Sequence, residues 1–317
     1  MKRNLLSRLW TTACFFALVV TVPVQAADFS KWSGYVDILL DASATGADLG
    51  ETVTDFPVLL RLNPSSGVDF AMIDDAGADI RFAKPDGTAL PYEIESWNHI
   101  SPSVDSAVVW VLVDTVHANS VTTIRMYYNN SSATDASQPE RVFDTANGFV
   151  SVYHLSESGS GIADEYKDAT GNQLHGTGTA SGPVAVPYTI GKGNQFTGNG
   201  SIVVPHSDKQ NPQDLTISAW LQSTKNIDNV FALSKGTYGI RQRPVGKVQG
   251  FFLQNFQTHL TDLGISHYLA MRYNNATGEL RFIVDGDTTK GASEVITAEL
   301  TGDSDLSIGL VDNGENA

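Results

Sequence analysis

Two carboxylates, Glu93 and Glu95, stand one residue apart. In an extended chain that spacing puts both side chains on one face, and retaining glycoside hydrolysis uses carboxyls about 5–5.5 Å apart, one as nucleophile and one as acid. A second acidic group, Asp164, Glu165 and Asp168, lies among Gly159, Gly161, Gly171 and Asn172, the composition of a loop. Such a loop is a poor mount for a rigid dyad. Ca²⁺, however, takes six to eight oxygen ligands in irregular geometry, so Asp168, Thr170 and Asn172, with Asp303 or Asp305, are the calcium candidates. Solvated turn residues are the plainer reading, because no Asp-x-Asp-x-Asp-Gly loop is present. The third feature is Trp220, which shares strand parity with Thr216, Ser218 and Gln222 while Leu215, Ile217, Ala219 and Leu221 take the other face. An indole flanked by hydrogen-bonding groups suits the face of a sugar ring, and Trp220, Ser218 and Gln222 are the ligand-binding candidates. Packing under a loop is the competing account of the tryptophan.

Other chemistries find no footing. His99, His117, His154, His175, His206, His259 and His267 are scattered without His-x-His or His-Glu-x-x-His spacing, so zinc is not supported. A Gly-x-Ser-x-Gly elbow, a phosphate-cradling Gly-x-x-x-x-Gly-Lys loop and a dinucleotide fingerprint are all absent. No catalytic residue is therefore assigned.

The elements that must position these residues are strands. Apolar residues recur with period two between Gly, Asn, Asp and Pro, the pattern of an all-β chain. Phe56, Val58, Leu60 and Leu62 predict one buried face. Val108 to Val113 is apolar on both faces and predicts a central strand covered on each side. Ile124, Met126 and Tyr128 close a first set of strands near Asn130. Residues 131–147 open with small, polar, proline-terminated sequence and read as a linker. Beyond it, strands are expected at 148–155, 201–204, 215–221, 230–234, 250–256, 268–273, 280–284 and 306–310, with turns at Asn274–Gly278 and Asp285-Gly286, where Asn, Asp or Gly can take positive φ. Tandem β-sandwiches result, the second of jelly-roll type.

The first residues carry Lys2, Arg3 and Arg8, an apolar run from Ala13 to Val22 and small residues at Val24 and Ala26, the anatomy of a cleaved secretory signal over 1–26. Cys14 sits inside the apolar run, not at its end, which argues against a lipid anchor. Cleavage removes the one cysteine, so burial must hold the mature chain together. It also removes three of the 20 basic residues and no acidic one, leaving 17 against 35 and a formal charge of −18. Such a surface disfavours nucleic acid and anionic membranes. No later segment is long and apolar enough to insert in a bilayer. The expected location is the periplasm, outer envelope or extracellular space.

Two resemblances follow from particular strings. Trp32, the Asp55–Leu62 strand, Ala78-Asp79-Ile80-Arg81-Phe82, Asp86 to Asn98, Val109-Trp110-Val111 and Met126 to Asn130 resemble the bacterial domain of unknown function DUF2341, giving a first domain over 27–130. Val152-Tyr153-His154-Leu155, Asp168 to Asn172, His175-Gly176-Thr177, Gln195-Phe196-Thr197-Gly198, Ile202 to Pro205, Thr216 to Trp220 and Phe282 to Gly286 resemble a concanavalin A-like lectin/glucanase domain of laminin-G type, over 148–317. That family usually ends in a further strand resembling Gly-x-Ile-Asp-Glu-Val-x-Ile, so the second domain is expected to be incomplete at its C-terminus. Glucanases of the superfamily carry their acids as Glu-x-Asp-x-x-Glu or similar on one strand. Glu93 and Glu95 lie in the other domain and are followed by Ser96-Trp97-Asn98, so they read as structural or solvent-facing. The resemblance implies a non-enzymatic exported protein that contacts glycan or an envelope protein, and the first domain implies association with envelope transport systems. A glycoside hydrolase or lyase, and a spacer presenting a further C-terminal region, are the alternatives.

Overall fold

Alternating burial organises the first half of the chain into β1 (Gly34–Asp41), β2 (Val53–Leu62), β3 (Arg81–Ala83), β4 (Ala89–Leu90), β5 (Tyr92–Asn98), β6 (Ser106–Val116) and β7 (Val121–Tyr128). This computed structural model describes residues 27–311 apart from 101–104, 181, 198–199, 225–229, 245, 254, 288–292, 297–299 and 301. Residues 1–26, expected to be a secretory signal, and the chain from 312 onward lie outside the described residues. Strands β1, β7, β3 and β4 form one antiparallel sheet in that order, and β2, β6 and β5 a second. Their inner faces meet over Phe82, Val109, Val111, Val113, Ile124 and Met126, all almost wholly buried. Phe56 departs from the expected inner row. It is 50% exposed although it pairs opposite the buried Val113; Asp55 just before it has φ +50°, and Pro57 after it is buried.

The second half supplies β8 (Thr177–Gly178), β9 (Val184–Pro187), β10 (Lys192–Gln195), β11 (Ile202–Val204), β12 (Leu215–Gln222), β13 (Val230–Ser234), β14 (Tyr238–Arg243), β15 (Lys247–Phe252), β16 (Asn255–Leu260), β17 (Ser266–Asn274), β18 (Glu279–Val284), β19 (Ser293–Val295) and β20 (Leu306–Val311). One sheet runs β16-β15-β14-β13-β20-β11-β8, the other β12-β17-β18-β19, and β9 with β10 makes a separate hairpin. The two large sheets close over Ile240, Val248, Phe252, Leu269, Met271, Tyr273, Leu280 and Phe282. The non-sequential order β13-β20-β11 is the crossing connectivity of a jelly-roll sandwich. The protein is all-β, two sandwiches in tandem.

Two expected elements differ, and several strands, β14 among them, were not expected. Residues 148–155 form no strand: Val152 gives its N–H to the Asp168 carboxylate and its carbonyl to the Ala169 N–H, and Leu155 has φ +55°. The apolar run 250–256 is not one strand but the β15–β16 hairpin, turned at Leu253 with φ +56°. Strand β14 was not foreseen, because Tyr-Gly-Ile-Arg-Gln-Arg offers one aliphatic residue. The expected turns hold, with Gly278 at φ +70° joining β17 to β18 and Asp285-Gly286 both at positive φ.

The stretch 131–147 lies against the first sandwich. Arg81 donates to the Thr134 carbonyl, Ser137 Oγ accepts the Ile94 N–H, and the Gln138 N–H donates to the Tyr92 carbonyl. A single helical turn, Pro139–Val142, then delivers the buried Val142 and Phe143 to the outer side of β6.

If burial of these faces holds the sandwiches, truncating Met126, which is wholly buried, should lower the unfolding free energy by about 2–5 kcal/mol. Leu39→Ser on the outer face of β1, at a side chain 65% exposed, should change it by no more than about 0.5 kcal/mol. Urea titrations of the two variants read both values.

Candidate binding face and the carboxylate–histidine joint

Strand β12 alternates strictly, with Leu215 and Ile217 buried and Thr216, Ser218, Trp220 and Gln222 exposed. Trp220 is 39% exposed, so it does not pack into the core. Directly across, Tyr268 on β17 sets its ring 5.6 Å from the indole at 53°. Tyr268 is fixed at its backbone: its N–H donates to Asp285 Oδ1, the Asp285 N–H donates back to its carbonyl, and Asp285 Oδ2 lies 2.7 Å from His267 Nδ1. Gln222 reaches across the sheet edge to the Gly264 carbonyl at 2.6 Å. The three residues singled out in the sequence thus share one open face, and Tyr268 completes it. Parity along β17 could have placed Tyr268 there; pairing with Trp220 needed the register.

The Asp168 loop is brought together in a different sense. Asp168 Oδ1 accepts the N–H groups of Val152 and Thr170, and Oδ2 accepts the Thr170 hydroxyl and the Leu174 N–H. Asn172 donates to the Val150 carbonyl and accepts from Lys209 Nζ. These oxygens face hydrogen-bond donors, and a cation would have to displace them. As arranged, Asp168, Thr170 and Asn172 do not fit Ca²⁺; they tie the segment 150–152 to its neighbouring loop. Asp303 and Asp305 belong elsewhere, beside Lys235. Its buried ammonium lies 2.9 Å from His206 Nδ1 and donates to the Ser304 carbonyl. Burial depresses its pKa, against the opposing charges of Asp305, Asp303 and Asp208. Among the described residues no three His, Cys, Asp or Glu side chains converge as a metal site.

Glu93 and Glu95 lie on β5, where a register shift between Ile94 and Ser96 marks a bulge. Their common partner comes from beyond the linker stretch. His154 Nε2 lies 3.0 Å from Glu93 Oε2 and Nδ1 lies 3.3 Å from Glu95 Oε2, while Trp110 Nε1 donates to Glu95 Oε2 at 2.6 Å. Trp110, Phe143, Phe149 and Val152 wall the cluster, with Trp110 and Phe149 each edge-on to Phe143. The hairpin β9–β10 adds a second contact: Arg61 donates to the Thr189 carbonyl, and a Cβ on Gly191 would lie 2.5 Å from Glu95 Oε1. Burial raises the Glu95 pKa, opposed by the charge of His154 and the Trp110 hydrogen bond and reinforced by Glu93. For His154, burial favours the neutral ring, yet the Glu93 hydrogen bond and the charges of Glu93, Glu95 and Glu157 outweigh it and raise the pKa. The Glu95 and Glu93 side chains are 3% and 10% exposed, so a polysaccharide strand does not reach them. The cluster joins two sandwiches. Sequence reading missed it because the partner is 61 residues away with no local pattern.

Residues 76–155 match the family described as Domain of unknown function (DUF2341), a span containing Glu93, Glu95, Trp110 and His154 together. No curated protein matches the chain. Solved structures similar to it include the binding domain of Paraclostridial Mosquitocidal Protein 1 (TM-score 0.39, 17% identity, 50% of this chain and 44% of that one). A putative carbohydrate binding protein from Bacteroides ovatus follows (TM-score 0.30, 11% identity, 82% of this chain and 70% of that one). Mouse laminin alpha1 chain domains LG4-5 are also similar (TM-score 0.29, 11% identity, 94% of this chain and 88% of that one). The chain thus spans under half of the first of these, and likenesses at this level concern β architecture alone. No helix among the described residues is long and apolar enough to cross a membrane.

Removing the imidazole leaves two carboxylates buried side by side. His154→Gln is expected to lower stability by about 3–5 kcal/mol in urea unfolding near pH 6. A raised histidine pKa stabilises the fold fully below its ordinary value of 6.5, and that contribution fades as pH rises through the folded-state value. Glu95, also raised, acts in the same direction from its ordinary value of 4.5 upward. Wild-type stability should therefore decline on the alkaline side, with a shallower decline in His154→Gln. At the other loop, EDTA should leave the thermal midpoint unchanged, whereas Asp168→Ala, which strands several donors, should cost at least about 2 kcal/mol.

Proposed function

We propose that this chain is an exported, non-catalytic recognition protein whose second sandwich binds glycan through the face carrying Ser218, Trp220, Gln222 and Tyr268. The observation that supports the reading is the 39% exposure of Trp220 on a strand face it shares with Thr216, Ser218 and Gln222, next to a second ring. A large aromatic left in water beside hydroxyl and amide groups forgoes burial that a sugar face restores, while its neighbours supply hydrogen bonds to the ring hydroxyls. Export rests on the charged and apolar segment 1–26, and association with an envelope transport system rests on the first-domain resemblance. In this reading the first sandwich anchors the recognition module through the joint around His154. Glu93 and Glu95, the pair with hydrolase-like spacing in sequence, serve that joint and not a reaction.

Trp220→Ala should leave the thermal midpoint within a few degrees and weaken retention on cell-wall polysaccharide or on a glycan array by about tenfold or more. Turnover of any polysaccharide by the purified protein, or undiminished retention of Trp220→Ala, would contradict the reading.

A further inference from the structure

The rest of the same face carries a charge pattern that narrows the ligand. The register sets three rows across β12, β17 and β18: Trp220 opposite Tyr268; Ser218 opposite Ala270 and then Ile283; Thr216 opposite Arg272 and then Arg281. From the first row to the third is four residues of strand, about 13 Å. The middle row is low on the β12 and β17 side, where serine and alanine stand between two rings at one end and two guanidinium groups at the other.

Arg272 and Arg281 are directly opposed on neighbouring strands, an arrangement that is unfavourable for like charges unless something answers them. Glu279 answers both. Arg281 holds its Oε1 through Nη2 at 2.5 Å and Nε at 3.1 Å, while Arg272 meets Oε2 through a single 3.5 Å contact. Among the described residues two positive charges thus share one carboxylate, and the Arg272 and Arg281 side chains remain 52% and 34% exposed. This surplus stands out on a chain whose formal charge is −15. At physiological ionic strength the screening length is about 8 Å, so the pair acts on what touches it, while the remaining acidity repels polyanions that have no other foothold.

We infer that the face takes a carboxylate-bearing polysaccharide, one sugar against Trp220 and Tyr268 and the carboxylate of a unit further along the chain on Arg272 and Arg281. The inference rests on the proposed reading of this face as the glycan site. A guanidinium fork matches a planar carboxylate with two parallel hydrogen bonds. The 13 Å offset, about the length of a few sugar units, requires a polymer that bears charge along its backbone.

Affinity electrophoresis of the purified protein in gels containing polygalacturonate, or the same polymer with its carboxyl groups reduced to alcohols, tests this. The expected result is retardation by polygalacturonate that weakens about tenfold or more both in Trp220→Ala and in the double variant Arg272→Gln/Arg281→Gln. Any binding of the reduced polymer should depend on Trp220 and be indifferent to the arginine changes. If both polymers retard the protein equally and the arginine variant behaves as wild type, the charge inference falls while the glycan reading stands. If neither polymer retards it, the inference is overturned, and the glycan reading falls as well only if neutral wall polysaccharides also fail. Retardation by polygalacturonate that survives Trp220→Ala would reveal a plain charge effect and would overturn the assignment. Should the glutamine variant fail to fold, Arg272→Lys/Arg281→Lys keeps the charge and removes the fork; unchanged retardation in that variant would also overturn it.

Discussion

A strand that is apolar on both faces must be covered on both, and β6 imposes that condition at the centre of the molecule. Val109, Val111 and Val113 fill the first sandwich, which leaves Trp110 on the outside. Three β2-β6-β5 strands have no second sheet of their own to lay over that side. The chain covers it with what comes next, the helical turn ending in Val142 and Phe143, then Phe149, Val152 and His154. With no cysteine after position 14, no disulfide can substitute for this burial. The second sandwich is therefore seated by the first, and not merely tethered to it.

Burying Glu93 and Glu95 beside that apolar cover sets an electrostatic condition. Two neighbouring carboxylates out of water repel each other and lose hydration, and a partner of opposite charge must meet both. One imidazole does so, a nitrogen toward each, and the Trp110 indole supplies a further donor. The joint acquires directionality that apolar contact alone does not give, because His154 fits only when segment 148–155 lies in one place relative to β5. The same demand explains why that segment is no strand: its Val152 backbone groups are held by the Asp168 loop.

How much of this was legible follows from parity. Where alternation is strict, as in β12, the sequence set Trp220 on the polar side with Thr216, Ser218 and Gln222 while leaving packing under a loop as the competing account; β17 and β18 were expected as strands only. Prediction failed at two places beside positive φ: Phe56, next to Asp55, is half exposed although it pairs opposite the buried Val113, and Leu253 took a turn position normally left to glycine. Alternation was also present in 148–155, but tertiary hydrogen bonding overrode it. Strand β14 was invisible because its pairing with β13 and β15, not its own composition, makes it a strand. The joint was the least legible part. Its acids, its histidine and its tryptophan are individually unremarkable in sequence, and only the meeting of β5 and β6 with a later segment gives them meaning. The DUF2341 match over residues 76–155 spans these partners as one unit.

In the proposed reading two sites divide the work of the molecule: a buried cluster fixes one sandwich on the other, and an open aromatic face takes the ligand. The division can be read directly from the indole N–H signals of the protein in a two-dimensional ¹⁵N–¹H spectrum, where Trp32 and Trp110 are hydrogen-bonded to Asp79 and Glu95 respectively. Titration with a retained glycan should move the Trp220 signal, identified by its loss in Trp220→Phe, and leave the Trp110 signal in place. A ligand that moves Trp110 and leaves Trp220 unshifted would put binding at the joint and contradict the account.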